Sequence, residues 1–229
     1  MNWFISSSFS WNRSLEFDGA MGVAERKRLE KAARRKLILD CASAVFHKKG
    51  FGDATIEDIA ERAEISKGTI YLYFKSKADL YFSITKPALE NLSKRLKKIA
   101  GNKSDSPEAR IRKLMHAVYD FYLHDADAYR LITRYKADEY QNLFPKDRLE
   151  ILSRMMRTNL GQMEIVIAEG IGKGLLRKLD PYLCTVMFWS AFVGIIQFQE
   201  SRLKPGKSDH RRATLEQFID TMLDGLTNR

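Results

Sequence analysis

His116, Asp120 and His124 recur every four positions, so a helix would carry imidazole, carboxylate and imidazole along one face. Such a set could take a divalent metal ion with further ligands from elsewhere. A solvated helix face produces the same spacing without a metal, and none is expected. A second set is denser. Ser66-Lys-Gly-Thr-Ile-Tyr-Leu-Tyr-Phe74 holds the hydroxyls of Ser66, Thr69, Tyr71 and Tyr73 with the ammonium of Lys67, and Lys77 follows. Hydroxyl and ammonium groups are suited to phosphate oxygens and to the edges of bases. No nucleophile–base–acid set appears. Gly170-Ile-Gly-Lys-Gly174 lacks the flanking strand and full spacing of a nucleotide loop and reads as a helix end and turn. The chain is therefore expected not to be an enzyme and to need no cofactor.

The charge supports attention to the second set. Of the formal net charge of +10, residues 21–104 contribute +9, from nineteen bases and ten acids, while 105–229 carry nineteen and seventeen. A polyanion is a reasonable partner for the first part. The two cysteines, Cys41 and Cys184, stand far apart in apolar helical patterns and form no disulfide framework, which fits a reducing cytoplasm. The first twenty residues lack a basic n-region and an unbroken apolar stretch, so residues 1–23 are taken as a disordered tail rather than a signal peptide.

The elements that must position these groups read as helices throughout. Leu37, Ile38, Cys41, Ala42, Val45 and Phe46 form one stripe that Gly50 ends. Thr55 caps a short helix with Asp58 three residues on, and Ser76 with Asp79 repeats the pattern at the start of a long helix to about Ala100, in which Pro87 predicts a kink. Ser106 and Pro107 open a helix to about His124; further helices are expected from Asp127 to about Tyr140, Pro145 to about Gly170, Pro181 to Leu203, and His210 to Thr227. The fold class is all-α.

Within that frame, Thr69-Ile-Tyr-Leu-Tyr-Phe74 has the composition of a strand but no partner strand. As a short helix, Lys67–Phe74, it buries Ile70 and Phe74, four apart, and turns Lys67, Thr69, Tyr71 and Tyr73 outward. Its first turn has no acid, unlike the helices at Thr55 and Ser76, so its positive end is left for an anion. Gly68 allows a ligand close to the backbone.

Phe46 to Tyr81, with Gly50-Phe51, Thr55-Ile56, Ile59-Ala60, Ala63, Ile65-Ser66, Gly68, Tyr71, Tyr73-Phe74, Lys77 and Leu80, resembles the DNA-binding domain of the TetR family of bacterial transcriptional regulators. The resemblance implies an N-terminal three-helix helix-turn-helix domain over residues 24–75, and a larger helical ligand-binding and dimerisation domain over 76–229. It implies double-stranded operator DNA as partner, touched by Thr55, Ser66, Lys67, Gly68, Thr69 and Tyr71, with Tyr73 and Lys77 on phosphates. One residue departs from the pattern. Glu64 occupies a turn position where the family usually has glycine.

In the larger half, Pro181 to Gln199 contains no charge. Thr185, Ser190 and Gln197 dilute it, so a buried helix is expected rather than a membrane span. With the last helix it fits the homodimer that the resemblance implies, through Phe188, Ser190, Ala191, Gly194, Ile195, Phe198, Phe218 and Met222. The implied small-molecule inducer would be apolar or amphipathic, in a pocket drawn from Tyr119, Tyr122, Arg134, Tyr135, Met155, Met163, Trp189 and Phe192, with Arg134 or Gln197 as polar anchor. The function expected is a cytoplasmic homodimeric repressor released from a palindromic operator by inducer. An activator, a ligand-independent repressor and, remotely, a helical-bundle enzyme are the alternatives.

Overall fold

The structure, a computed structural model, describes residues 22–134, 138–202 and 209–228. The residues expected to form the N-terminal tail lie outside this set except for the last two. Among the described residues there are ten helices and no strand. They are α1 (Val23–Asp53), α2 (Ile56–Arg62), α3 (Lys67–Tyr71), α4 (Lys77–Gly101), α5 (Pro107–His124), α6 (Ala126–Arg134), α7 (Asp138–Leu143), α8 (Lys146–Gly172), α9 (Pro181–Arg202) and α10 (Arg211–Leu226).

The local signals act as their chemistry requires. Gly50 has φ of 78°, a left-handed conformation that breaks α1 before Phe51. Thr55 and Asp58 form a reciprocal capping box at α2, and Ser66, Ser76 and Ser106 each accept a backbone N–H at the starts of α3, α4 and α5. The segment expected as a helix from Asp127 to about Tyr140 is helical where it is described, as α6 to Arg134 and α7 from Asp138; residues 135–137 lie outside the described residues. α4 is one helix from Lys77 to Gly101, running through Pro87 without a break in its assignment.

α4 belongs to both halves of the core. Its first turns put Tyr81 against Phe46 and Phe51, with ring centroids 5.0 and 4.8 Å apart, beside buried Ile38, Ile59, Ile70 and Phe74. Further along, Leu89, Leu92, Leu96 and Ala100 pack among α5 and α8. The end of α4 is pinned by Arg110, a fully buried cation that donates to Ala100 O at 2.8 Å and to Glu169 Oε2 at 3.0 Å. Glu169 also receives Lys173 at 2.8 Å and Lys103, and Arg110 leads these three in holding its carboxyl well below the usual range.

α9 is the one helix among the described residues long and apolar enough to cross a bilayer. It is packed as a core helix along one face, where Cys184, Thr185, Phe188, Phe192 and Ile196 recur at helical spacing against α8 and α10.

Candidate DNA-reading head and ligand cavity

α1, α2, α3 and the first turns of α4 make the head. α3 is anchored from below by Ile70 and Phe74, both buried, so its composition serves its surface and its packing rather than its intrinsic helicity. It is shorter than expected: helical assignment stops at Tyr71, although Phe74 N–H still reaches Ile70 O at 3.0 Å. A strand would have put Leu72 on the same face as Ile70 and Phe74. Leu72 is instead 81% exposed, beside Tyr71 at 55%, which excludes a strand. Tyr73 is half-buried against the core.

The polar groups of α3 are partly engaged with one another. Ser66 Oγ accepts the Thr69 N–H at 3.2 Å and lies 3.0 Å from Thr69 Oγ1. Lys67 Nζ is 2.5 Å from Glu57 Oε1 on α2, an exposed pair of small energetic weight that a phosphate can displace. Gly68 is exposed, and a Cβ built there would meet only Ser66 Oγ, at 3.6 Å. The free chain therefore has no steric need of glycine at this position. Asp58, besides its capping role, pairs with Lys49 at 2.8 Å, and that contact followed by the Thr55 hydrogen bonds brings its pKa down to about 2.

Two features of the head go beyond the sequence reading. Glu64, in the turn between α2 and α3, has φ of 52°, the left-handed conformation that glycine adopts without strain. Lys77, expected on phosphate, donates its ammonium to Phe51 O, Gly52 O and Ala54 O at 2.7, 3.0 and 2.8 Å, and lies 4.7 Å from the Phe51 ring centroid. All three N–H donors are spent on carbonyls left open where α1 ends, so its place in this structure is a clamp between α1 and α4.

The head is tied to the larger half at three points. Tyr81 Oη donates to Asp127 O at 2.9 Å, Arg148 Nη2 reaches Asp79 Oδ1 at 2.8 Å, and Phe51 and Phe144 have centroids 5.3 Å apart.

A narrow, partly open cavity of about 40 Å³ lies between α4, α5, α6, α8 and α9. Of the expected pocket residues, Met163, Trp189 and Phe192 line it. Tyr119 opens instead onto a polar groove with Arg95, Lys113 and Arg212. Tyr122 sits behind the wall, its ring 5.0 Å from Tyr129 and its hydroxyl donating to Glu200 at 2.8 Å; burial and this carboxylate push its pKa to about 12. Met155 packs half-buried outside the lining, and Gln197 is exposed. Tyr135 and the side chain of Arg134 lie outside the described residues. Phe188, expected at a dimer interface, is buried on the cavity wall with its ring 5.7 Å from Phe218. Leu92, Leu96, Leu114, Val118 and Asn159 also line the cavity; no motif or spacing in the sequence marks them.

The His116, Asp120, His124 set does not converge. His116 Nε2 is 3.0 Å from Glu216, Asp120 pairs with Arg95 at 2.6 Å, and His124 Nδ1 is 2.7 Å from Asp120 O. Among the described residues no cluster suited to a metal occurs.

Residues 38–84, which contain α2, α3 and the junctions on either side, match the sequence model of bacterial regulatory proteins of the tetR family. This segment is thus a TetR family DNA-binding segment. The HTH-type transcriptional repressor KstR2 of Rhodococcus jostii is 26% identical over 201 residues, 86% of this chain and 93% of that repressor. The HTH-type transcriptional activator FasR of Mycolicibacterium smegmatis is 34% identical over 113 residues; the match spans 49% of this chain and about half, 51%, of that activator. Among solved structures, a TetR/AcrR family regulator from Thermobifida fusca superposes with a TM-score of 0.64 at 27% identity, covering 84% of this chain and 98% of that one. The chain thus carries the helix-turn-helix of a DNA-binding transcriptional regulator, and the relatives named above are transcriptional regulators.

Proposed function

We propose that this chain is a TetR family regulator, a homodimeric, ligand-responsive repressor acting in the cytoplasm on a pseudo-palindromic operator. α3 would lie in the major groove with Thr55, Ser66, Lys67, Gly68, Thr69 and Tyr71 facing the duplex and Tyr73 at its edge, and two copies would read half-sites about one turn, roughly 34–36 Å, or a multiple apart.

The observation that carries the ligand response is the course of α4. The same helix presents Ala78, Leu80 and Tyr81 to the core of the head and Leu92 and Leu96 to the cavity. At 1.5 Å per residue its start lies about 22 Å from Leu92, so a small rotation at the cavity becomes a larger displacement at α3. A ligand that wedges Leu92 and Leu96 would change the separation of the two heads.

Dimerisation through α9 and α10 is supported by what one chain leaves uncovered. On α9, Leu183, Met187 and Phe198 are 57, 55 and 58% exposed, and Ser190 and Gly194 lie between them with open space where a Gly194 Cβ would be. Ala191 and Ile195 flank this stripe and Phe218 and Met222 of α10 are half-buried beside it. An apolar stripe with a small-residue notch suits close approach of its own copy. Phe188 is not part of it.

Linkage provides the test. Ligand must weaken operator binding by the same factor by which operator weakens ligand binding. Ligand affinity unchanged by saturating operator would overturn the repressor mechanism, and ligand tightened by operator would favour the activator alternative, the class to which FasR belongs.

A further inference from the structure

We propose that the cavity selects an uncharged, largely apolar ligand bearing one hydroxyl-type group, and that Asn159 on α8 anchors that group. This rests on the reading of the cavity as the ligand site.

No charged side chain lines the cavity, and only two of its side chains carry oxygen, Thr185 and Asn159. The Thr185 hydroxyl is already committed, donating to Pro181 O at 2.9 Å within its own helix. Asn159 Oδ1 is shielded from water and has no hydrogen-bond partner. A buried acceptor without a partner is unfavourable for the empty protein, and few such atoms survive in a folded chain without a purpose. Around it stand Met115, Leu114, Ile132, Met163 and the stacked pair Trp189 and Phe192, whose centroids are 6.2 Å apart. The environment accepts hydrocarbon or aromatic surface and supplies one polar contact.

The sign of that contact defines the ligand class. An amide can accept from a hydroxyl through Oδ1 or donate to it through Nδ2, so a hydroxyl satisfies it in either orientation. A carboxylate cannot donate to Oδ1, and with no cation in the wall its burial carries the full desolvation cost. A second cleft adjoins the cavity. The cleft between α8 and α9 shares Met156, Leu160 and Thr185 with the cavity, and outside it bears Arg157 and Glu164. An anionic amphiphile would have to leave its head group at that mouth.

The experiment uses the full chain with Trp3→Phe and Trp11→Phe, which leaves Trp189 as the single tryptophan reporter of the three in the sequence. 1-Decanol, decane and decanoate are titrated against this protein and against the same protein carrying Asn159→Leu. The expected result is that decanol binds at least tenfold tighter than decanoate, and that N159L lowers the decanol-to-decane affinity ratio roughly three- to tenfold, the worth of one neutral hydrogen bond. N159L should also raise the thermal midpoint of the empty protein, because it removes the orphan acceptor. An unchanged decanol-to-decane ratio in N159L, or decanoate binding as tightly as decanol, overturns the inference while the cavity reading stands. If none of the three perturbs Trp189, the cavity reading falls with it.

Discussion

Gly68→Ala separates what the free chain requires at α3 from what DNA requires. In the free protein the new methyl meets only Ser66 Oγ, at an ordinary contact distance of 3.6 Å, and the backbone there is not left-handed. Replacing glycine by alanine inside a helix gains about 0.5–1 kcal/mol. For a chain of 229 residues that corresponds to a rise in thermal midpoint of about 1–4 °C. On DNA the same methyl would occupy the gap through which the α3 backbone approaches the duplex. Overpacking a close interface by one methyl costs about 1–3 kcal/mol, or roughly 5- to 150-fold in affinity. Calorimetry of the free protein and anisotropy titration of a labelled operator give the two numbers. G68A should be the more stable protein and the weaker binder. Unchanged affinity would show that DNA does not approach here, and a lowered midpoint would show that the free fold needs glycine after all.

Lys77→Met should lower stability by about 1–3 kcal/mol, because three carbonyls lose a charged donor; a salt slope for DNA binding reduced by about one, with stability unchanged, would restore Lys77 to a phosphate. Glu64→Gly should stabilise the fold by about 1 kcal/mol in chemical denaturation by relieving the left-handed turn, with DNA affinity preserved. Asp58 and Asp209 titrate at about 2 and Glu169 is depressed as well, so all three bind protons less readily in the folded state than in the unfolded. Their contribution is therefore complete above about pH 5 and is lost as pH falls from about 4 towards 2; Asp58→Asn should flatten the acid limb of a midpoint-against-pH series. Met187→Asp should yield monomers in sedimentation, while Phe188→Ala should cost about 3–5 kcal/mol of stability as a core truncation and leave the association state unchanged.

The head was legible because its signals are local. A capping residue, an acid three positions on, a stop glycine and an i, i+4 apolar pair act over a few residues, and they placed α2, α3 and Gly50 from letters alone. The carbonyl contacts of Lys77 were not legible because its partners, Phe51, Gly52 and Ala54, offer backbone oxygens more than twenty residues away, and carbonyls leave no mark in a sequence. The cavity was legible only in part for a related reason. Aromatic and methionine residues draw attention, yet Tyr119 lines a polar groove and Tyr122 gives its hydroxyl to Glu200, while plain leucines at 92, 96 and 114 line the cavity. Phe188 and Met187 adjoin on one helix that is apolar all round. Nothing in their spacing says which faces inward; only the positions of α8 and α10 decide it.

The central claim is that the face of α3 bearing Gly68 and Tyr71 reads operator DNA. Its most direct measurement is a footprint and affinity titration on a duplex selected from genomic fragments, comparing the wild-type chain with Tyr71→Ala at several salt concentrations. The expected result is two protected half-sites about one helical turn or a multiple apart, and a Y71A protein that folds with an unchanged thermal midpoint but loses discrimination between the selected duplex and a scrambled one. Undiminished discrimination by Y71A, together with an unaltered footprint, would contradict it.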